Sequence, residues 1–145
     1  MRFYVGSDHG GVELRQLLCA ELVESGHEVV EEYGPRQPDE KADYPDVGHQ
    51  VARAILDDEG SFGLLVCGTG QGMAMAANAV PGVRAGVVVD AFSARMIRAH
   101  NNAQVLCLGQ RVVGTELAKL LLHEFLNTEF EGGRHAGRVA KIEAS

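Results

Sequence analysis

Gly63-Leu64-Leu65-Val66-Cys67-Gly68-Thr69-Gly70-Gln71-Gly72-Met73-Ala74 begins as an apolar run, breaks at Cys67 into glycines alternating with polar residues, and resumes as small apolar residues through Ala77. The first part reads as a buried strand, the middle as a tight turn and the last as a helix start. A strand, a glycine turn and a helix N-terminus make an anion-binding device, because free backbone N–H groups and the positive end of the helix dipole converge there. Cys67 stands at the carboxyl end of the strand, at the rim of that device. Converging N–H groups favour the ionised form of a thiol, so Cys67 is a candidate base or nucleophile.

The same alternation extends in both directions. Phe3-Tyr4-Val5 is a first strand that ends in the polar loop Gly6-Ser7-Asp8-His9-Gly10-Gly11. Leu14, Leu17, Leu18 and Leu22 then recur at helical spacing until Ser25-Gly26. His27 to Tyr33 is a second strand whose charges suit a sheet edge. A turn-rich loop runs from Gly34-Pro35 to Asp43-Tyr44-Pro45, and Val47, Val51 and Ile55 mark a helix ending at Asp57-Asp58-Glu59-Gly60. Downstream of the opening stretch the third helix ends between Asn78 and Gly82. Val83 to Val89 is a fourth strand closed by Asp90, Ser93 to Asn101 a short helix, and Val105 to Gly109 a fifth strand. Thr115 is the expected N-cap of a helix with Leu117, Leu120, Leu121 and Phe125 on one face. Phe130-Glu131-Gly132-Gly133 breaks the chain before a helical tail from Arg134 to Ile142. Five strands alternating with helices predict an α/β protein whose parallel sheet is covered on both faces. A single domain over residues 1–145 is expected, with the tail after Gly133 as an appendage.

Composition narrows the function. The 145 residues suffice for one sizeable core. A net charge of −7 argues against nucleic acid or an anionic membrane as main partner. It leaves room for an anionic small molecule in a local basic pocket. No apolar run reaches the roughly 18 residues of a membrane span. Met1 leads straight into a strand pattern, which leaves no room for a signal peptide. Cys19, Cys67 and Cys107 are an odd count without short paired spacing, as expected of reduced thiols in a cytoplasmic setting rather than a disulfide frame or zinc site. Cys19 and Cys107 read as packing residues.

In a parallel sheet, ligands bind outside the carboxyl ends of the strands. Alternation brings Asp8 and His9, Cys67 and Thr69, Asp90, and Gln110 with Arg111 to that edge. His100-Asn101 falls at the opposite edge, unless the helix is short or the pair serves a neighbouring subunit. Arg134 and Arg138 are four residues apart, so one helix face presents both, in reach of one phosphate. Each residue also has a purely structural reading: Asp8 as an N-cap, Cys67 as a small core residue, His100 as a helix C-cap, and the arginines as a solvated face. Gly68-x-Gly70-x-Gly72 departs from the dinucleotide fingerprint, since Met73 stands where its third glycine belongs.

Beyond these elements, a series of motifs occurs in order. They are Gly6-Ser7-Asp8-His9-Gly10-Gly11, Asp43-Tyr44-Pro45, Cys67-Gly68-Thr69-Gly70-Gln71-Gly72, Asn78, Arg84-Ala85, Ser93-Ala94, His100-Asn101-Asn102, Gly109-Gln110-Arg111-Val112-Val113-Gly114 and Glu131-Gly132-Gly133-Arg134-His135. Together they closely resemble the type B ribose-5-phosphate isomerases of the ribose/galactose isomerase family, over nearly the whole chain. The resemblance implies a three-layer α/β/α fold with a five-stranded parallel, Rossmann-like sheet and a C-terminal helical tail. It implies interconversion of ribose 5-phosphate and ribulose 5-phosphate through a cis-enediolate, without metal or organic cofactor. It further implies a homodimer, in some members paired into a tetramer, whose active sites combine residues of two subunits. On that basis the tail from about residue 132 packs on a partner.

The roles implied by the resemblance are these. Cys67 is the base and the backbone of Gly68, Gly70, Gln71 and Gly72 the anion hole. Thr69 shuttles a proton among substrate oxygens. His100 opens the sugar ring, with Asp8 orienting hydroxyls. Asn101 contacts the substrate and Tyr44 lines the sugar pocket. His9, Arg111, Arg134 and Arg138 hold the phosphate, with His135 a weaker candidate. Some members use a glutamate just past the turn, but Met73, Ala74 and Met75 stand here, which favours the cysteine. Hexose 6-phosphates of the allose or galactose type are alternative substrates, and a noncatalytic sugar-phosphate-binding domain is the alternative outside enzymology.

Overall fold

The computed structural model describes residues 1–144. In chain order these form β1 (Arg2–Ser7), a 3-10 turn (His9–Gly11), α1 (Val12–Glu24), β2 (Glu28–Tyr33), α2 (Tyr44–Asp57), β3 (Phe62–Cys67), α3 (Gln71–Asn78), β4 (Ala85–Val87), α4 (Ala91–Ala99), β5 (Val105–Gly109), α5 (Thr115–Leu126) and α6 (Arg134–Glu143). The five strands make one sheet in the order β2-β1-β3-β5-β4, and every pairing is parallel. β2 lies on one side of β1, and the chain then crosses back to lay β3 on the other. Such a reversal opens a crevice outside the carboxyl ends of β1 and β3.

Side chains along a strand alternate between faces, and β3 and β5 show why their runs are continuously apolar. Leu64, Val66, Leu106 and Leu108 pack with Leu14, Leu18 and Leu22 of α1, Ala94 of α4, and Leu121, Leu122 and Phe125 of α5. Leu65, Cys67, Val105 and Cys107 face the other layer, with Val47, Val51 and Ile55 of α2 and Met73 and Ala77 of α3. Both faces are dry, so neither strand has a polar position to spare. No helix among the described residues is long and apolar enough to cross a membrane.

The structure revises several sequence expectations. β4 pairs over only Ala85–Val87 rather than Val83 to Val89; at its start the Arg84 N–H donates to Gln104 Oε1 at 2.7 Å, and at its end the Val88 N–H reaches the Cys107 carbonyl only at 3.4 Å. Gly114, not Thr115, is the N-cap of α5 and makes no side-chain cap, while Thr115 is the first helical residue. The buried stripe of α5 is Ala118, Leu121, Leu122 and Phe125, whereas Leu117 and Leu120 are 36% and 48% exposed. The consecutive leucines fit two stripes, and the packing of α1 and α4 on α5 selects the one containing the small Ala118. Tyr44 and Pro45 belong to the first turn of α2 rather than to the loop, a position where proline's missing N–H costs nothing. α4 ends at Ala99, leaving His100 as its C-cap and Asn101 beyond it.

Candidate active site

The centre of the site is built by the turn between β3 and α3. Cys67 is 4% exposed, and its Sγ accepts the Gly70 N–H at 3.1 Å. Gly70 adopts a left-handed φ of +84°, and that conformation aims its N–H back at the sulfur. The turn is pressed onto β5: a Cβ at Gly109 would lie 2.7 Å from the Thr69 backbone, so only glycine fits there. Thr69 is exposed, and its Oγ1 accepts the Gln71 N–H at 3.3 Å. α3 starts without a side-chain cap and without an acid in its first turn. Its first N–H groups and its dipole therefore favour an external anion beside Cys67.

Flanking residues converge on this turn. Gln110 N–H donates to the Cys67 carbonyl at 2.9 Å and Arg111 N–H to the Gly68 carbonyl at 3.0 Å, which ties the loop after β5 to it. The Arg111 side chain runs alongside: a Cβ on Gly68 would sit 3.5 Å from its Cδ. Gln110 Oε1 also accepts the Leu14 N–H at 2.9 Å and so fastens α1 to the same edge. The loop after β1 approaches from the other side, a Cβ on Gly10 lying 3.5 Å from the Gly68 nitrogen. Asp8 Oδ1 accepts the Gly10 N–H at 2.9 Å, which fixes the carboxylate. His9 Nδ1 accepts the Ala42 N–H at 3.4 Å, linking β1 to the loop before α2. The Tyr44 ring covers Gly72, where a Cβ would come within 2.5 Å of it.

The other thiols are in different environments. Burial, with Cys67 adding to it, pushes the Cys107 thiol up, and Cys107 is fully inaccessible. Burial followed by Glu32 pushes Cys19 up to about 12. Cys107 shares a core layer with Cys67 but is inaccessible, and both it and Cys19 match the packing roles expected of them.

A second polar cluster lies at the amino edge, where α4 delivers the chain to the start of β5. His100 N–H donates to the Met96 carbonyl at 2.8 Å. Arg98 secures this corner: its buried guanidinium donates to Asn102 Oδ1 at 3.1 Å and to the Ala103 carbonyl at 2.7 Å, and lies 5.0 Å from the Phe62 ring centroid. Arg84 donates to the Asn101 and Asn102 carbonyls at 3.1 and 2.9 Å and pairs with Glu143 of α6. Asn101 lines a pocket with Asn78, Arg84 and Ile142. The Glu131 N–H donates to the Ala99 carbonyl at 3.0 Å, docking the tail on the end of α4. The His100 and His135 rings stack at 4.1 Å with 10° between their planes. Burial, then the nearby His100 and Arg134, lowers the pKa of His135. Arg134 and Arg138 are exposed one turn apart on α6, with no carboxylate partner among the described residues.

One chain therefore gathers Asp8, His9, Tyr44, Cys67, Gly68, Thr69, Gly70, Gln71, Gly72 and Arg111 at the carboxyl edge. It gathers His100, Asn101, Arg134, His135 and Arg138 at the amino edge. Sequence reasoning missed Arg98, and it noted Arg84 and Glu131 only as motif residues without a role; the contacts of the two arginines hold the His100 corner, and the spacing of four between Glu131 and His135 was the available signal.

Known proteins resemble this chain over nearly its whole length. The family model described as Ribose/Galactose Isomerase matches residues 3–142. The chain is 44% identical over 139 residues to ribose-5-phosphate isomerase B of Escherichia coli, covering 96% of this chain and 92% of that protein. It is 42% identical to D-erythrulose-4-phosphate isomerase of Pectobacterium atrosepticum, covering 95% and 90%. The solved ribose-5-phosphate isomerase B of Clostridium thermocellum superposes with a TM-score of 0.95 at 45% identity, covering 99% of this chain and 96% of that one. With its sheet order, its cysteine-bearing glycine turn and this near full-length similarity, the chain belongs to the ribose/galactose isomerase family.

Proposed function

We propose that this protein is an aldose–ketose isomerase that interconverts ribose 5-phosphate and ribulose 5-phosphate. The observation that carries the reading is Cys67 Sγ at the end of β3, held by the Gly70 N–H at 3.1 Å beside the uncapped start of α3. Cys67 takes the proton from C2 of the open-chain sugar. The resulting enediolate oxygen is held by those N–H groups of the turn from Gly68 to Gly72 that Cys67 and Thr69 leave free, fixed dipoles that need no reorganisation as charge develops. Thr69 carries a proton between the two substrate oxygens, and Cys67 returns its proton to C1. Atoms and electrons balance within the substrate. Asp8, Tyr44 and Asn101 position the sugar, while His9, Arg111, Arg134 and Arg138 hold the phosphate.

His100 opens the furanose ring by moving a proton at the ring oxygen. Its place at the amino edge is supplied to the Cys67 edge by a second copy of the chain, together with the tail from about residue 132. The working form is then a cytoplasmic homodimer with shared sites, each subunit a single domain spanning residues 1–145, and a tetramer of two paired dimers is the alternative assembly. A tetrose phosphate is the second reading, favoured by 42% identity to a protein named for D-erythrulose 4-phosphate against 44% for one named for ribose 5-phosphate. Purified protein is supplied with ribose 5-phosphate, erythrulose 4-phosphate, allose 6-phosphate and galactose 6-phosphate in turn. Preferential turnover of ribose 5-phosphate is expected. Preference for another sugar overturns the substrate, and turnover of none overturns the isomerase reading.

A further inference from the structure

We propose that His100, Glu131 and His135 form a binding site for a divalent cation of the zinc class, and that occupying it inhibits the isomerase. Their donor atoms all lie within 4.8 Å of one another. Two imidazoles and one carboxylate are the donor set of open, three-ligand zinc sites. An independent feature points into the same space. His135 Nε2 is buried and has no hydrogen-bond partner, on a side chain only 7% exposed. Glu131 Oε1 stands 3.6 Å from it and Glu131 Oε2 stands 3.6 Å from His100 Nε2. These separations are too long for hydrogen bonds. One carboxylate thus faces two ring nitrogens with a gap on each side.

The gap matches a small cation after a modest contraction. Tetrahedral donors at zinc-nitrogen distances of about 2.0–2.1 Å stand roughly 3.4 Å apart, so the triad closes by about an ångström. Parallel rings aim their nitrogens side by side, and His100 must turn out of the stack for its lone pair to converge. It can, because the His100 and Glu131 side chains are 37% and 53% exposed, while the buried His135 serves as the fixed ligand. Glu131 supplies the only carboxylate of the triad, and Arg134 and Arg138 flank His135 with opposing charge. These charges weaken the hold on a cation, which suits a reversible inhibitory ligand. The fourth coordination position stays open. Inhibition rests on the proposed ring-opening role of His100, since a metal-held nitrogen carries no proton. Binding itself does not depend on that role.

Tag-free, metal-stripped protein is titrated with zinc by calorimetry, and with cobalt to read the visible bands of a tetrahedral site. Turnover of cyclic ribose 5-phosphate is followed in parallel. One zinc per chain is expected, with activity falling as the site fills. Glu131→Gln and His135→Asn should each weaken binding by more than about tenfold. Glu131 is exposed, so its variant remains informative if His135→Asn misfolds. Cys67→Ser, which removes the competing thiol, should still bind zinc. No binding by the unmodified protein, binding unchanged in both triad variants, or binding lost only in Cys67→Ser overturns the site. Binding that leaves turnover unaffected overturns the inhibitory half and the ring-opening role of His100 with it, while the site stands.

Discussion

Gly70→Ala, compared with Gly26→Ala, separates backbone strain from the support of Cys67. Both glycines have left-handed φ, +84° and +87°. A methyl at Gly26 meets nothing within 4 Å, so Gly26→Ala costs only the left-handed conformation, about 1–2 kcal/mol. A methyl at Gly70 stands 3.1 Å from the Leu108 carbonyl carbon and 3.2 Å from Val87 Cγ1. Crowding of that kind adds about 1–3 kcal/mol, bringing the total to roughly 2–5 kcal/mol. At about 3 °C per kcal/mol for a chain of this size, midpoints fall by roughly 3–6 °C for Gly26→Ala and 6–15 °C for Gly70→Ala. The turn relieves its crowding by moving away from β5, which draws the Gly70 N–H off Cys67 Sγ. A hydrogen bond to a charged group contributes about 1.5–3 kcal/mol, so kcat/KM falls by roughly ten- to a hundredfold. The assay is ketose formation well below both midpoints, alongside thermal unfolding. Gly26→Ala should keep full activity. A Gly70→Ala protein with full activity would refute the claim that this N–H supports the base, and equal midpoint losses in the two variants would refute the packing argument.

Three other perturbations address the remaining roles. Cys67→Ala should lower kcat by at least about 10²-fold while the fold survives a loss of about 1–3 kcal/mol from the vacated sulfur site, and an active variant removes Cys67 as the base. His100→Ala should lose far more activity on cyclic ribose 5-phosphate than on an open-chain analogue; equal losses on both dismiss it as ring opener. Arg134→Ala should raise KM by about tenfold for phosphorylated sugars with kcat nearly unchanged, as expected for a charged hydrogen bond lost from substrate binding, and an unaltered KM returns the tail to a solvated helix.

The parallel sheet was legible because its central strands are uninterrupted apolar runs set between glycine turns and helical periodicities. Strand order was not, since hydrophobic period is a local property and order is set by which helices pack over which crossover. β5 lies inside β4, and the short pairing of Ala85–Val87 is the edge that results. Tyr44 shows the cost of misplacing one helix start. Read as loop, it has no defined direction, but as the first residue of α2 it lies over Gly72 and bounds the site.

Asp8, His9, Cys67, Thr69 and Arg111 followed from alternation, because the loop after each of their strands reaches the carboxyl edge, whereas Tyr44 entered only through the resemblance. His100 fell at the opposite edge by the same logic, and the structure keeps it there, with Arg98 and Arg84 pinning its corner. Arg84 stood in a motif without a role and Arg98 was not visible at all, since a buried guanidinium is recognised only by the carbonyls around it. At Asp8, Cys67 and His100 the structural readings all hold: Asp8 caps its turn, Cys67 is buried beneath α2 and α3, and His100 closes α4. Those roles do not compete with chemistry. A capped carboxylate, a packed thiol and a ring at a helix terminus are held in place before substrate arrives, and a site built on rigid elements keeps its groups within the narrow tolerance that proton transfer demands. A residue fixed by the fold is for that reason a better candidate for the mechanism, and the fixed contacts at Gly70, Arg98 and Glu131 are where variants remote from the substrate should change its rate.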